Sequence, residues 1–308
     1  IGPLSAAMDF TIPYTKSLLH FNGTEGGTTF TDEVGRIWTR AGNAVTKTDW
    51  KKLGTASGYF SGGNDRIYTP DHADFAFGTN NFTIDLWIKT TQSTLGFIIY
   101  QGDDSGIAGS VAFWIQMNGG KVNFCPDYRN YPSHHVIWSL ANVNDGNPHH
   151  IAAVRNGNTF TLYVDGVSQN SVTLAGFSMT DSSNNLSVGK MGAVYNAYIG
   201  YVDELRISKG IARWTGSFTS SSAEYSPPAS NLNLGTATLV SPTGSTNTPQ
   251  PMYIWHAVPG SAWYYLRVLN QSSGNKVGLW YSAADAGCPS GAGTCSATPS
   301  AGFDPGAN

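Results

Sequence analysis

A chain of 308 residues is long enough for one large domain or two ordinary ones. Hydrophobic residues are 40% of it, enough for a real core, while charged residues are only 12%, about half the usual share of roughly 25%. The balance of 17 Lys+Arg against 20 Asp+Glu gives a net −3 and no basic field, so nucleic acid is not an expected partner, and no apolar run is long enough to span a bilayer.

Helical periodicity is nearly absent, and the 36 glycines with 12% aromatics suit an all-β protein rich in tight turns. The chain opens on IGPLSAAMDFTIPYTKS, in which DFTIP can add as a strand to a neighbour. Strands are then expected over FTIDLWIKT (82–90), LGFIIYQG (95–102), SVAFWIQMNG (110–119) and KVNFCPD (121–127). They continue over HHIAAVRNG (149–157), TFTLYVDGV (159–167), LSVGKM (186–191) and YIGYVDELRIS (198–208). Asn118-Gly119-Gly120, Arg155-Asn156-Gly157-Asn158 and Asp165-Gly166 are hairpin chemistry, because Asn, Asp and Gly tolerate the positive φ of tight turns. Many short antiparallel strands imply a sandwich or jelly roll.

After Phe218 the composition changes. TSSSAEYSPPASNLNLGT (219–236) has no period and reads as a linker. A second β pattern follows in TATLVS (236–241), PMYIWHAV (251–258), AWYYLRVLN (262–270) and KVGLWYSA (276–283), with a turn at Pro259-Gly260. In the loop CPSGAGTC, Cys288 and Cys295 read as a local disulfide, which implies an oxidising compartment; two free loop thiols are the alternative. Cys125 ends a strand and reads as an inert thiol. Asn22, Asn81, Asn185 and Asn270 lie in glycosylation sequons, relevant only in a host that uses them.

Four blocks in order carry a family resemblance: SLLHFNGTEGGTTFTDEVGR (17–36), GTASGYFSGGNDRIYTPDHADFAFGTNNFTIDLWIKT (54–90), HHIAAVRNGNTFTLYVDGV (149–167) and YIGYVDELRISKGIARWTGSFT (198–219). On them, residues 17–225 resemble a laminin-G-like or concanavalin-A-like jelly roll of bacterial and phage surface proteins. PTGSTNTPQPMYIWHAVPGSAWYYLRV (242–268) and WYSAADAGCPSGAGTCSATPSAGF (280–303) resemble a fibronectin-III-like domain. The implied layout is an N-terminal extension (1–16), the jelly roll (17–225), a linker (226–235) and a fibronectin-III-like sandwich (236–308) lacking its final strands. An incomplete sandwich exposes a strand edge, which invites pairing with another chain.

The acids of VDELRISKGIARW (202–214) raise the question of catalysis. Regular alternation would put Tyr201, Asp203, Leu205 and Ile207 on one face and Val202, Glu204 and Arg206 on the other, with Glu204 and Arg206 a solvent pair. Adjacent acids on opposite faces cannot flank a glycosidic bond, and the E-x-D-x-x-E run of jelly-roll glycosidases does not occur. No catalytic residue is therefore assigned. The resemblance implies a structural calcium site, for which Asp32, Asp65 and Asp203 are the candidates; turn capping is the alternative role. His149-His150 reads as scaffold, and Trp38, Trp50 and Trp114 read as packing residues.

CPDYRNYPSHHVIW (125–138) is different, because it gathers Tyr128, Arg129, Tyr131, His134, His135 and Trp138 around two prolines. Aromatic platforms with polar edges suit sugar rings, and a loop on a rigid β scaffold suits recognition. The expected function is thus a non-enzymatic extracellular surface protein. It would be a lectin-like binding and adhesion module for a glycan or surface protein, self-associating by strand exchange through its N-terminal segment. The alternatives are a structural subunit of an extracellular filament or tail fibre, and an accessory region of a glycan-degrading enzyme.

Overall fold

The computed structural model of the chain describes residues 4–8, 14–102, 111–127, 135–192, 196–225, 237–242, 250–258, 263–270, 276–288 and 292–299. Every regular element among the described residues is a strand. The first are β1 (Leu4–Met8), β2 (Thr15–Leu19), β3 (Thr39–Ala41), β4 (Val45–Lys47), β5 (Ser57–Ser61) and β6 (Arg66–Thr69). Next come β7 (Phe82–Lys89), β8 (Gly96–Gln101), β9 (Phe113–Asn118), β10 (Lys121–Asp127), β11 (His135–Trp138), β12 (Pro148–Asn156), β13 (Thr159–Val164) and β14 (Val167–Thr173). β15 (Leu186–Val188), β16 (Ile199–Lys209), β17 (Leu239–Ser241), β18 (Tyr253–His256), β19 (Trp263–Asn270), β20 (Lys276–Ser282) and β21 (Thr294–Ala297) complete the order.

The chain divides into a large unit, Pro13–Ser230, and a small unit made of Ile1–Ile12 with Asn231–Asn308. The large unit is a jelly-roll-like sandwich of two antiparallel sheets. One runs β11-β10-β9-β8-β15-β6-β3; the other runs β14-β13-β12-β7-β16-β5-β4, with β2 also paired to β16. Alternation explains the core between them: Phe82, Ile84, Leu86 and Ile88 of β7 all point inward with no exposed surface, beside Ile151 and Ala153 of β12. Each of these Phe, Ile and Leu side chains contributes about 1.5–3 kcal/mol on burial. The turn at Asp165-Gly166, both at positive φ, closes the β13–β14 hairpin as the sequence implies.

Strand β7 is buried on its outer face too, which the sequence did not announce. Residues 211–225 run across that face as a strap. Trp214 and Phe218 stack at 3.8 Å with planes 7° apart, and with Ala212 they cover Ala152, Val154 and Tyr163. Phe218 N–H donates to the Gly166 carbonyl; a Cβ at Gly166 would meet the Phe218 oxygen at 1.8 Å, so only glycine fits this crossing. Arg213 ties the strap down through Ser208 Oγ and Thr15 Oγ1, at 2.9 and 3.0 Å.

Beneath the strap lies a buried charge network. Arg206 donates to both oxygens of Asp85 at 3.0 Å, and its guanidinium stacks 3.6 Å from the Tyr225 ring centre. His150 Nε2 is 3.5 Å from Asp85 and 3.0 Å from Tyr225 Oη. Burial alone would raise the Asp85 carboxyl, but Arg206 and His150 overcome it and hold Asp85 below the ordinary range.

The small unit contains two three-stranded sheets, β17-β18-β21 and β1-β19-β20. Its core includes Tyr253, Trp255, Tyr264, Leu266 and the Cys288–Cys295 disulfide. The N-terminal segment, expected as a free extension, is divided. Leu4–Met8 lies antiparallel to β19, from Leu4 opposite Asn270 to Met8 opposite Leu266. Thr15–Leu19 instead pairs with β16 of the large unit. One edge of β19 is therefore covered by β1, and all of DFTIP, like the turn at Pro259-Gly260, lies outside the described residues.

Two stability tests follow from this packing. Asp85→Ala removes the fully buried partner of the half-buried Arg206, so a loss of about 3 kcal/mol is expected in denaturant melts of the large unit. Replacing Cys288 and Cys295 by Ala removes a bridge between residues seven apart; a loss of about 2–3 kcal/mol is expected, confined to the calorimetric transition of the small unit.

Candidate functional site

Strand β16 departs from regular alternation at the acids. Val202, Leu205 and Ile207 all face the core, so one extra residue is accommodated between them. A bulge lies between Asp203, opposite Trp87, and Arg206, opposite Asp85. It falls where β16 exchanges its neighbour, from β5 at Ile199–Val202 to β2 at Leu205–Ser208. Glu204 takes up the excess with φ of 50°. The expected faces are thus corrected: Asp203 and Arg206 share the outer face, and Arg206 pairs with Asp85 rather than Glu204.

Asp203 and Glu204 are both fully buried and are held separately. Asp203 accepts backbone N–H groups of Lys52, Leu53 and Glu204 at 2.7, 3.0 and 2.9 Å. Burial pushes its carboxyl up to about 7 against the pull of these amides. Glu204 accepts from His20 Nδ1 at 2.6 Å and from the Tyr225 N–H at 2.8 Å. Burial lowers His20, but the Glu204 contact outweighs it and leaves the imidazole above 6.5.

By fixing the 48–56 loop, Asp203 places Trp50. Ser57 Oγ donates to the Trp50 carbonyl at 2.7 Å and completes the anchor. Trp50 then leans on a cross-strand row of outer-face side chains. Tyr201 stands opposite both Tyr59 on β5 and Lys89 on β7. Ring centres are 4.8 Å apart for Tyr59 and Tyr201, and 5.4 Å for Trp50 and Tyr201. Lys47 Nζ lies 5.2 Å from the Tyr59 ring and Lys89 Nζ 5.7 Å from Trp50. Tyr201 Oη donates to Asp49 at 2.9 Å; burial, then this carboxylate, pushes the phenol up to about 12. Trp50, Tyr59 and Tyr201 are all half-buried. The result is a fixed aromatic surface bordered by two ammonium groups and a carboxylate.

The sequence-derived sites are distributed differently. Tyr128, Arg129, Tyr131 and His134 lie outside the described residues. His135 and Trp138 bound edge strand β11, where Trp138 is 38% exposed and its carbonyl accepts from Asn170. Asp32 and Asp65 are not brought together with Asp203. Asp32 accepts from Ser17 Oγ, Trp38 Nε1 and the Leu18 and Val34 amides. Asp65 accepts from Ser61 N and Oγ and from Asn43 N. These donors point at the lone pairs a calcium ion would need. Among the described residues the grouping with metal-ligand character is His20, Glu204 and Glu224, with ligand atoms within 4.8 Å of one another, and Glu224 is itself bonded to Asn22. Sequence reading missed Tyr59 and Tyr201. Their signal was aromatics at positions alternating with buried Phe60 and Val202, but it becomes a site only once β5 pairs with β16.

The His20–Glu204 contact carries a pH signature. A raised histidine pKa contributes stability that is complete below the unfolded value of 6.5 and is lost as pH rises through the folded value. The stability difference between wild type and His20→Gln, measured by thermal melts, is expected to be largest below pH 6.5 and to shrink at higher pH. A difference independent of pH would contradict this assignment.

With the geometry in view, solved structures with related architecture can be compared. The binding domain of Paraclostridial Mosquitocidal Protein 1 superposes with a TM-score of 0.50 at 14% identity, covering 87% of this chain and 68% of that one. Domain 4 of AbnA, a GH43 extracellular arabinanase from Geobacillus stearothermophilus solved with arabinotriose, gives 0.48 at 17% identity, covering 67% and 95%. The CBM40 of the Ruminococcus gnavus IT-sialidase gives 0.42 at 15% identity, covering 52% and 92%. No curated protein matches by sequence. The family model of the Concanavalin A-like lectin/glucanases superfamily matches residues 61–213, and the antiparallel sandwich of the large unit agrees with that family's fold.

Proposed function

We propose that this chain is a non-enzymatic, lectin-like glycan-binding module of an extracellular surface protein, and that Trp50, Tyr59 and Tyr201 form its sugar platform. The observation that carries this reading is the row of half-buried rings, 4.8 and 5.4 Å apart, with Lys47, Lys89 and Asp49 at its border. Aromatic faces accept the C–H faces of a pyranose, while ammonium and carboxylate groups meet its hydroxyls. The rings are held by a sheet row and a tied loop, so little ordering is needed on binding. Assignment as a binder rather than a hydrolase is supported by Asp203 and Glu204, whose carboxylates are buried and engaged by amides and an imidazole. The disulfide supports an oxidising, extracellular setting. The small unit, with its paired three-stranded sheets, serves in this reading as a fibronectin-III-like spacer.

A glycan array followed by calorimetry on the best hit tests the proposal. Trp50→Ala and Tyr201→Ala are each expected to cost about 2 kcal/mol or more, roughly 30-fold in Kd, as for buried aromatic anchors. The double variant Tyr131→Ala/Trp138→Ala is expected to stay within about threefold of wild type, since it leaves the platform intact. The reverse pattern would move the site to the β10–β11 connection, and no binding to any glycan would sink the reading.

A further inference from the structure

We propose that β1 is an exchangeable strand, and that the small unit of one molecule accepts the β1 of a second copy of this chain. The inference stands apart from the glycan platform and rests on strand pairing.

β1 is an edge strand. Among the described residues it is hydrogen-bonded to β19 alone, over the five register pairs from Leu4–Asn270 to Met8–Leu266, and it also lies near β17. It is not the arm of a hairpin. The covalent path from Met8 to Trp263 passes through the whole large unit, which has its own core and does not depend on β1 for any of its sheets. β1 can therefore leave β19 without undoing a turn or opening the jelly roll. A hairpin strand is held at high effective concentration by its short connection, whereas a strand tethered through a long path gains far less from being on the same chain.

The vacated edge is also costly to leave bare. Between β1 and β20, strand β19 carries Tyr264 and Leu266 into the core of the small unit, at 0% and 1% exposure. Without β1, its backbone N–H and C=O groups on one side would face solvent next to that core, a template for any extended segment. The segment that fits by register is Leu4–Met8 itself, and every molecule carries one. A strand from a second copy makes the same hydrogen bonds as the cis strand, so the two arrangements differ mainly in tether entropy. Reciprocal exchange closes a two-fold dimer, while one-way exchange propagates an open chain.

Cysteine pairs read this directly. Ala6 lies opposite Val268 and Ser5 opposite Leu269. Ala6→Cys chains are mixed with Val268→Cys chains at high concentration, oxidised mildly and run on a non-reducing gel. A covalent species of twice 32.8 kDa carrying one chain of each type is expected, and it should diminish when a synthetic peptide of residues 3–12 is added in excess. Ser5→Cys with Leu269→Cys repeats the test, in case the first pair perturbs folding. The double variant Ala6→Cys/Val268→Cys reports the cis pairing as a cross-linked monomer. Cis cross-linking without any mixed dimer in either register would show a permanently intramolecular strand and overturn the proposal. Absence of cross-linking in cis and in trans would overturn it as well, by removing the pairing it starts from.

Discussion

Two central strands of the large sheet, β7 and β16, are covered on both faces, and this constraint governs much of what surrounds them. One face packs into the sandwich; the other lies under the 211–225 strap and the 48–56 loop. Acids on that second face cannot be left to water, because a buried charge must be paired or hydrogen-bonded. Asp85 is answered by Arg206, Asp203 by the amides of Lys52 and Leu53, and Glu204 by His20 and the Tyr225 amide. Each answer comes from a different part of the chain. The acids therefore act as fasteners: satisfying them fixes the loop, the N-terminal strand of the sandwich and the strap in place.

The aromatic platform is a consequence of that fastening. Trp50 belongs to a loop with no regular structure of its own, yet its position is set by Asp203 on one side and Ser57 on the other. Tyr59, Tyr201 and Lys89 need no such help, because neighbouring strands hold them in one row. Rigid strands supply the floor and a tied loop supplies the wall, an arrangement well suited to recognising a ring-shaped ligand without rearrangement. The small unit follows a different logic. Its sheet is completed by a strand from the other end of the chain, so its integrity depends on a contact of very high sequence separation.

The amino-acid sequence by itself determined the β architecture, because alternation and turn chemistry are local. Lys121–Asp127 appears as read, and the Asp165-Gly166 turn falls where its φ demands. The Cys288–Cys295 bridge was legible for the same reason, the two residues being only seven apart in the chain. Strand β14 escaped notice since it is a polar edge strand, exposed along most of its length and lacking the alternation of a half-buried one.

What only the tertiary structure decided was non-local. The bulge at Glu204 arises where β16 changes partner, and nothing in VDELRIS marks that change, so Asp203 and Arg206, placed on opposite faces by simple alternation, in fact share one. The platform draws on residues 47 to 201, joined by a pairing of β5 with β16. The partner of β1 lies more than 250 residues away. Local preference fixes which segments extend and where they turn; which strands become neighbours is settled by how all the apolar faces are buried together, and the sites follow from those neighbours.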